Sequence, residues 1–124
     1  MKSKTTCQAG FTLVEIMIVV ALIGMLAMIA IPNFVKARGT SQASACINNL
    51  RQVDDAVQTW ALENKKGPAA TVAFTDISGY LKSAVICPSG GTAFNDSYTL
   101  SDVASKPLCQ KTPVTHQIPV DTGS

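Results

Sequence analysis

The chain has 124 residues with ten Lys and Arg against eight Asp and Glu. Because Lys2 and Lys4 both fall in the first ten residues, residues 11–124 carry eight of each sign and no net side-chain charge. The basic pI is thus no argument for a nucleic-acid partner: no basic patch interleaved with aromatics is present, and near-neutral charge favours self-association.

In chain order, Met1 to Gly10 comes first, a basic segment with no acid that ends in the small pair Ala9-Gly10. Phe11 to Ile31 follows as 21 residues of apolar sequence, about 31 Å as a helix and enough to cross a bilayer. The lysines keep the amino terminus cytoplasmic and send the carboxyl side across. A secretory signal has its small-residue cleavage site after the apolar core, whereas here it comes before, so removing the leader leaves the helix attached. Cys7 precedes the apolar run, which excludes a lipoprotein signal. Glu15 is the one ionisable side chain within the run. An acid in that setting is costly and calls for a partner. Hydropathy alone reads equally as an uncleaved signal anchor, and Glu15 alone as a side chain snorkelling to the interface.

Gly10-Phe11-Thr12-Leu13-Val14-Glu15, with the apolar helix through Gly24 to Ile31-Pro32-Asn33-Phe34, resembles the class III signal of type IV prepilins and type II secretion pseudopilins. The resemblance is dense over about 35 residues and extends to the rest only in architecture. It implies that a membrane-embedded prepilin peptidase cuts after Gly10 and methylates the new amine of Phe11. It also implies that Glu15 pairs with the terminal amine of a neighbouring subunit during assembly. The chemistry is consistent: cleavage creates an ammonium of pKa about 8, one helical turn from the acid. Low dielectric between packed helices strengthens that pair, which acts as a register device more than as a source of stability. Gly24 and Pro32 bound a segment that the resemblance marks for helix flexibility in filaments. The plain alternative is a common membrane-helix glycine and a gentle kink at Pro32.

After Pro32 the chain becomes polar, with a soft spot at Gly39-Thr40-Ser41. Cys46, Ile47, Leu50, Val53, Val57, Trp60 and Ala61 then recur at three- and four-residue intervals, predicting one buried helical face. Asn48, Arg51, Asp54, Asp55 and Gln58 occupy the other. Gly67-Pro68 stops the helix, so one helix is predicted from about Phe11 to Asn64 or Lys65, roughly 80 Å long. Beyond it, Thr75 to Lys82 predicts a short helix. Thr92 to Leu100 and Pro107 to Lys111 predict a hairpin about the turn Ser101 to Lys106, and Thr112 to Ser124 an irregular tail. The expected fold is α+β and pilin-like, a long helix packed on a small antiparallel head of two or three strands. Its segments are 1–10 (removable leader), 11–32 (transmembrane and assembly helix), 33–66 (amphipathic continuation) and 67–124 (head).

Cys87 and Cys109 fall at the outer ends of the hairpin and are disulfide candidates, with Cys46 as the alternative partner. No paired CxxC spacing marks a metal site, and His116 reads as a surface histidine. Asp96 and Asp102 offer oxygens to calcium, which resembled major pseudopilins hold in head loops. No loop motif matches here, so they read as turn-forming acids and no cofactor is expected.

The expected function is a non-enzymatic subunit of a pilus-like filament or secretion pseudopilus. The alternative is an uncleaved, monomeric, membrane-anchored binding module. The resemblance implies as partners further copies of the chain, minor pilins or pseudopilins, the prepilin peptidase, and an inner-membrane platform with its assembly ATPase.

Overall fold

The computed structural model describes residues 9–119. Expectations for the leader up to Gln8, Cys7 included, and for the last five residues lie outside the described residues. Helix α1 (Leu13–Glu63) dominates the chain. It runs unbroken through Gly24, Pro32 and the expected soft spot at Gly39-Thr40-Ser41. Pro32 has no N–H for the carbonyl one turn back, and beside that gap the Asn33 side-chain amide donates to the Ile29 carbonyl at 3.2 Å.

Two compact units divide the chain, one up to Ala37 and one from Arg38 onward. The first is the apolar part of α1. Its large side chains stand exposed, from 48% at Val19 to 79% at Met28. By length and composition this stretch can cross a membrane, and a helix apolar on every side has no stable place in water.

In the second unit, α1 buries Cys46, Leu50, Val53, Ala56, Val57 and Ala61, the face that the spacing predicts except that Ala56 joins it and Ile47 is only half-buried, with Trp60 packed at its edge. The helix ends before the expected Gly67-Pro68. Lys65 takes a left-handed φ of 52°, its amide donates to the Leu62 carbonyl at 3.3 Å, and that of Lys66 to Ala61 at 2.9 Å. This pair of bonds closes the last turn as a Schellman motif.

The remainder folds against that face in short pieces. Helix α2 (Phe74–Ile77) continues as a 3-10 turn over Ser78–Tyr80 and seats Ile77 in the core. Helix α3 (Phe94–Ser97) replaces the first half of the expected hairpin strand. Local bonds decide that difference: the Asp96 carboxylate accepts from both the amide and hydroxyl of Thr92 at 3.2 Å, and the Ser97 hydroxyl donates to the Ala93 carbonyl at 2.7 Å. What remains of the hairpin is β1 (Tyr98–Thr99) antiparallel to β2 (Leu108–Cys109), with Tyr98 opposite Cys109. An isolated antiparallel bridge joins Thr71 to Asp102. So little sheet is not stable alone. It is held by burial of Tyr98, Phe94, Val85, Val72 and Val103 against α1, and by stacking of Phe74 on Phe94 with ring centroids 4.3 Å apart. Side-chain amides of α1 tie down the loops: Gln58 donates to the Val103 carbonyl at 2.9 Å, Asn49 to Ile86 at 3.0 Å and Gln42 to Pro88 at 3.3 Å.

Candidate assembly junction and the thiol cluster of the head

At the amino-terminal junction Gly10, Phe11 and Thr12 precede the helix, which starts at Leu13 instead of Phe11. Thr12 is the reason. Its hydroxyl accepts the Glu15 amide at 3.3 Å and its carbonyl the Ile16 amide at 3.4 Å, which makes it the helix cap and Glu15 the third helical residue. Thr12-x-x-Glu15 is a capping-box sequence, a signal present in the chain but obscured by the membrane reading of the same residues. Glu15 also sits where the helix dipole favours a negative charge. Its side chain is exposed, as is Phe11 beside it, so both groups the resemblance singles out are open to a neighbouring molecule. Gly24 and Pro32 lie within regular helix.

The head gathers the candidate cysteines in one place. Cys46 comes from α1, Cys87 from the loop before α3, and Cys109 from β2; each is at most 1% exposed, and all three are free thiols. The Sγ atoms of Cys46 and Cys109 each lie 3.6 Å from that of Cys87. Cys87 with Cys109 and Cys46 with Cys87 are thus both neighbours. The hairpin is not what brings Cys87 to Cys109, since Cys109 faces Tyr98 across the sheet.

His116 is the main departure from the sequence reading. It is buried, 4% exposed, with Nδ1 3.9 Å from Cys87 Sγ and 3.8 Å from Cys109 Sγ. A turn in which its amide donates to the Thr112 carbonyl at 3.0 Å brings it there. Around the cluster, the Tyr98 hydroxyl lies 3.7 Å from Cys46 Sγ and accepts from the Asn49 amide at 3.2 Å, and Thr112 Oγ1 is 4.0 Å from Cys109 Sγ. Burial pushes the Cys46 thiol up to about 12 and the Tyr98 hydroxyl upward, and it holds the imidazole below its ordinary value. For Cys109 burial also raises the thiol, but hydrogen bonds from the Thr112 and Lys111 backbone and from the other two thiols bring it below its usual value.

The loop presenting Cys87 has little freedom. Gly90 takes φ +110°, and a Cβ at Gly91 would lie 2.1 Å from Ser97 Oγ and 3.0 Å from the Cys87 backbone. Of the acids considered for calcium, Asp96 pairs with Lys111 at 2.6 Å besides its bonds to Thr92, and Asp102 accepts the Ser105 amide at 2.7 Å.

Fold and junction together define a class: a membrane-length helix with an exposed acid in its first turn, and a small α+β head. The model of the prokaryotic N-terminal methylation motif matches residues 5–31. Over 90 residues the chain is 37% identical to the type IV major fimbrial protein FimA of Dichelobacter nodosus, covering 73% of this chain and 54% of that protein. Over 57 residues it is 47% identical to the type IV major pilin protein PilA of Myxococcus xanthus, covering 46% and 26%. Over 83 residues it is 34% identical to the competence protein ComGC of Bacillus subtilis, covering 67% and 84%. The chain spans about half the length of the FimA proteins it matches. No solved structure matches. The chain belongs to the type IV pilin and pseudopilin family, whose members are structural subunits and not enzymes.

Proposed function

We propose that this chain is a structural subunit of a pilus-like filament or secretion pseudopilus. It enters the cytoplasmic membrane with its amino terminus inside, is cut after Gly10 and methylated on Phe11 by a prepilin peptidase, and is polymerised by a platform and ATPase. Polymerisation is with further copies and with minor subunits, and Glu15 of one copy meets the Phe11 amine of the next. The observation that carries this reading is the exposed apolar surface of α1 from Leu13 to Val35, with the acid Glu15 in its first turn. A bilayer covers such a surface before assembly, and identical helices cover it afterwards. Glu15 is the one ionisable side chain in that zone, so stacking is favoured in registers that pair acid with amine.

Amino-terminal sequencing with mass measurement on detergent-extracted chain tests processing. A terminus at N-methylated Phe11 is expected, and an intact Met1 terminus would favour the membrane-anchored binding module. Loss of surface fibres against retention of exoproteins, on deletion of the gene, separates pilus from pseudopilus.

A further inference from the structure

We infer that Cys46, Cys87, Cys109 and His116 form a structural zinc site in the head. The four donors come from four separate segments, α1, the Cys87 loop, β2 and the closing turn. All four are buried, and their ligating atoms lie within 4.8 Å of one another. Four of the six edges of the cluster are close to those of a metal tetrahedron, and the two from Cys46 to Cys109 and to His116 are within 4.8 Å. With Zn–S of about 2.3 Å and Zn–N of about 2.05 Å at tetrahedral angles, sulfurs stand about 3.8 Å apart and sulfur and nitrogen about 3.6 Å. The structure has 3.6 Å between Cys87 and each of the other sulfurs, and 3.8 and 3.9 Å from Nδ1 to Cys109 and Cys87.

A disulfide explains the arrangement less well. It needs only two cysteines at an S–S distance of about 2.05 Å and gives no role to the third thiol or to a buried imidazole aimed at the group. Three thiolates and one imidazole are a soft donor set that selects zinc among abundant divalent ions and excludes calcium and magnesium. Four protein ligands leave no open position, so the site is structural, not catalytic. On binding, each thiol releases its proton to solvent and the complex keeps one net negative charge. The Tyr98 hydroxyl beside Cys46, itself held by Asn49, and the Thr112 hydroxyl beside Cys109 are placed to donate to thiolate sulfur. The benefit to the fold is direct. With two-residue strands, the head lacks a sheet able to fix its own segments, and one ion ties all four together. The inference does not depend on filament assembly.

The full chain, purified from membranes in detergent under air without added metal, is analysed for bound metal and for free thiols by alkylation and mass measurement. About one zinc per chain is expected, with the three thiols of the head reduced and resistant to alkylation until a chelator is added. Zinc-free chain whose mass shows a disulfide between any two of these cysteines overturns the inference, and so does metal-free, freely alkylated thiol. Cobalt titration of the stripped chain gives the second readout: thiolate-to-cobalt absorption in the native chain, its retention in His116→Cys, which keeps four ligands, and its loss in His116→Ala. Equal absorption in all three would overturn the role of His116, and absence in the native chain the site itself.

Discussion

Glu15 has two possible employments, and they are separable by substitution. Thr12→Ala removes the hydroxyl that caps the helix and keeps the carboxylate. Its cost is about 1 kcal/mol of local helix stability, and filament yield should stay near normal. Glu15→Gln keeps the shape and removes the charge, and should leave insertion and cleavage intact while lowering filament yield on the order of tenfold or more. Quantified sheared fibres with a membrane-fraction control read both effects. Normal yield from Glu15→Gln would count against the acid–amine pairing. A second residue-scale test concerns pH. The Lys111 ammonium, then the Thr92 amide, holds the Asp96 carboxyl below its usual value, and Ser105 does so for Asp102. Groups whose folded pKa is depressed add stability that is complete above the unfolded value of about 3.9 and is lost as pH falls through the folded one. Thermal melts of the Asp96→Asn chain should therefore converge with the native chain in strong acid and fall below it at neutral pH. A constant gap across that range would show that the ion pair contributes nothing.

Among the elements, the two ends of α1 and the loop of Cys87 carry the sharpest expectations. Lys65 holds a left-handed conformation that suits glycine. Lys65→Gly should stabilise the head by up to about 1 kcal/mol by relieving that strain while preserving the closing bonds to Leu62 and Ala61. At Gly91 the opposite holds. A single added methyl meets Ser97 Oγ and the Cys87 backbone, so Gly91→Ala should destabilise by on the order of 2 kcal/mol. Denaturant titration followed by Trp60 fluorescence measures both, and a neutral Gly91→Ala would mean that the loop relaxes freely. The short strands illustrate how local chemistry overrides pattern. Thr92 to Leu100 alternates well enough to predict a strand, yet the Asp96 and Ser97 side chains satisfy neighbouring backbone groups and wind Phe94–Ser97 into a helical turn.

For the whole molecule, the unit up to Ala37 presents apolar surface on all sides and the unit from Arg38 folds around a core of its own. Protease added to spheroplasts should digest the chain from the head and leave a membrane-protected fragment containing Leu13 to about Pro32. Full protection would place the head on the cytoplasmic side and contradict the proposed topology.

Legibility in the sequence followed the range of the interactions concerned. The membrane-length helix and the buried stripe from Cys46 to Ala61 were readable, because each is written in spacings of one to four residues along a single helix. The family followed from the same local signature. The cysteines were recognised as partners, but a grouping with His116 was set aside for want of paired spacing, since its four members lie 41, 22 and 7 residues apart and no linear motif spans such intervals. Only packing of the closing turn, β2 and the Cys87 loop against α1 decides that the histidine is buried and faces sulfur. Sequence by itself thus determined which stretch is long and apolar enough to cross a membrane and which helical face folds inward. The tertiary structure alone decided what that face encloses, because close contacts between distant segments exist only once the core has formed.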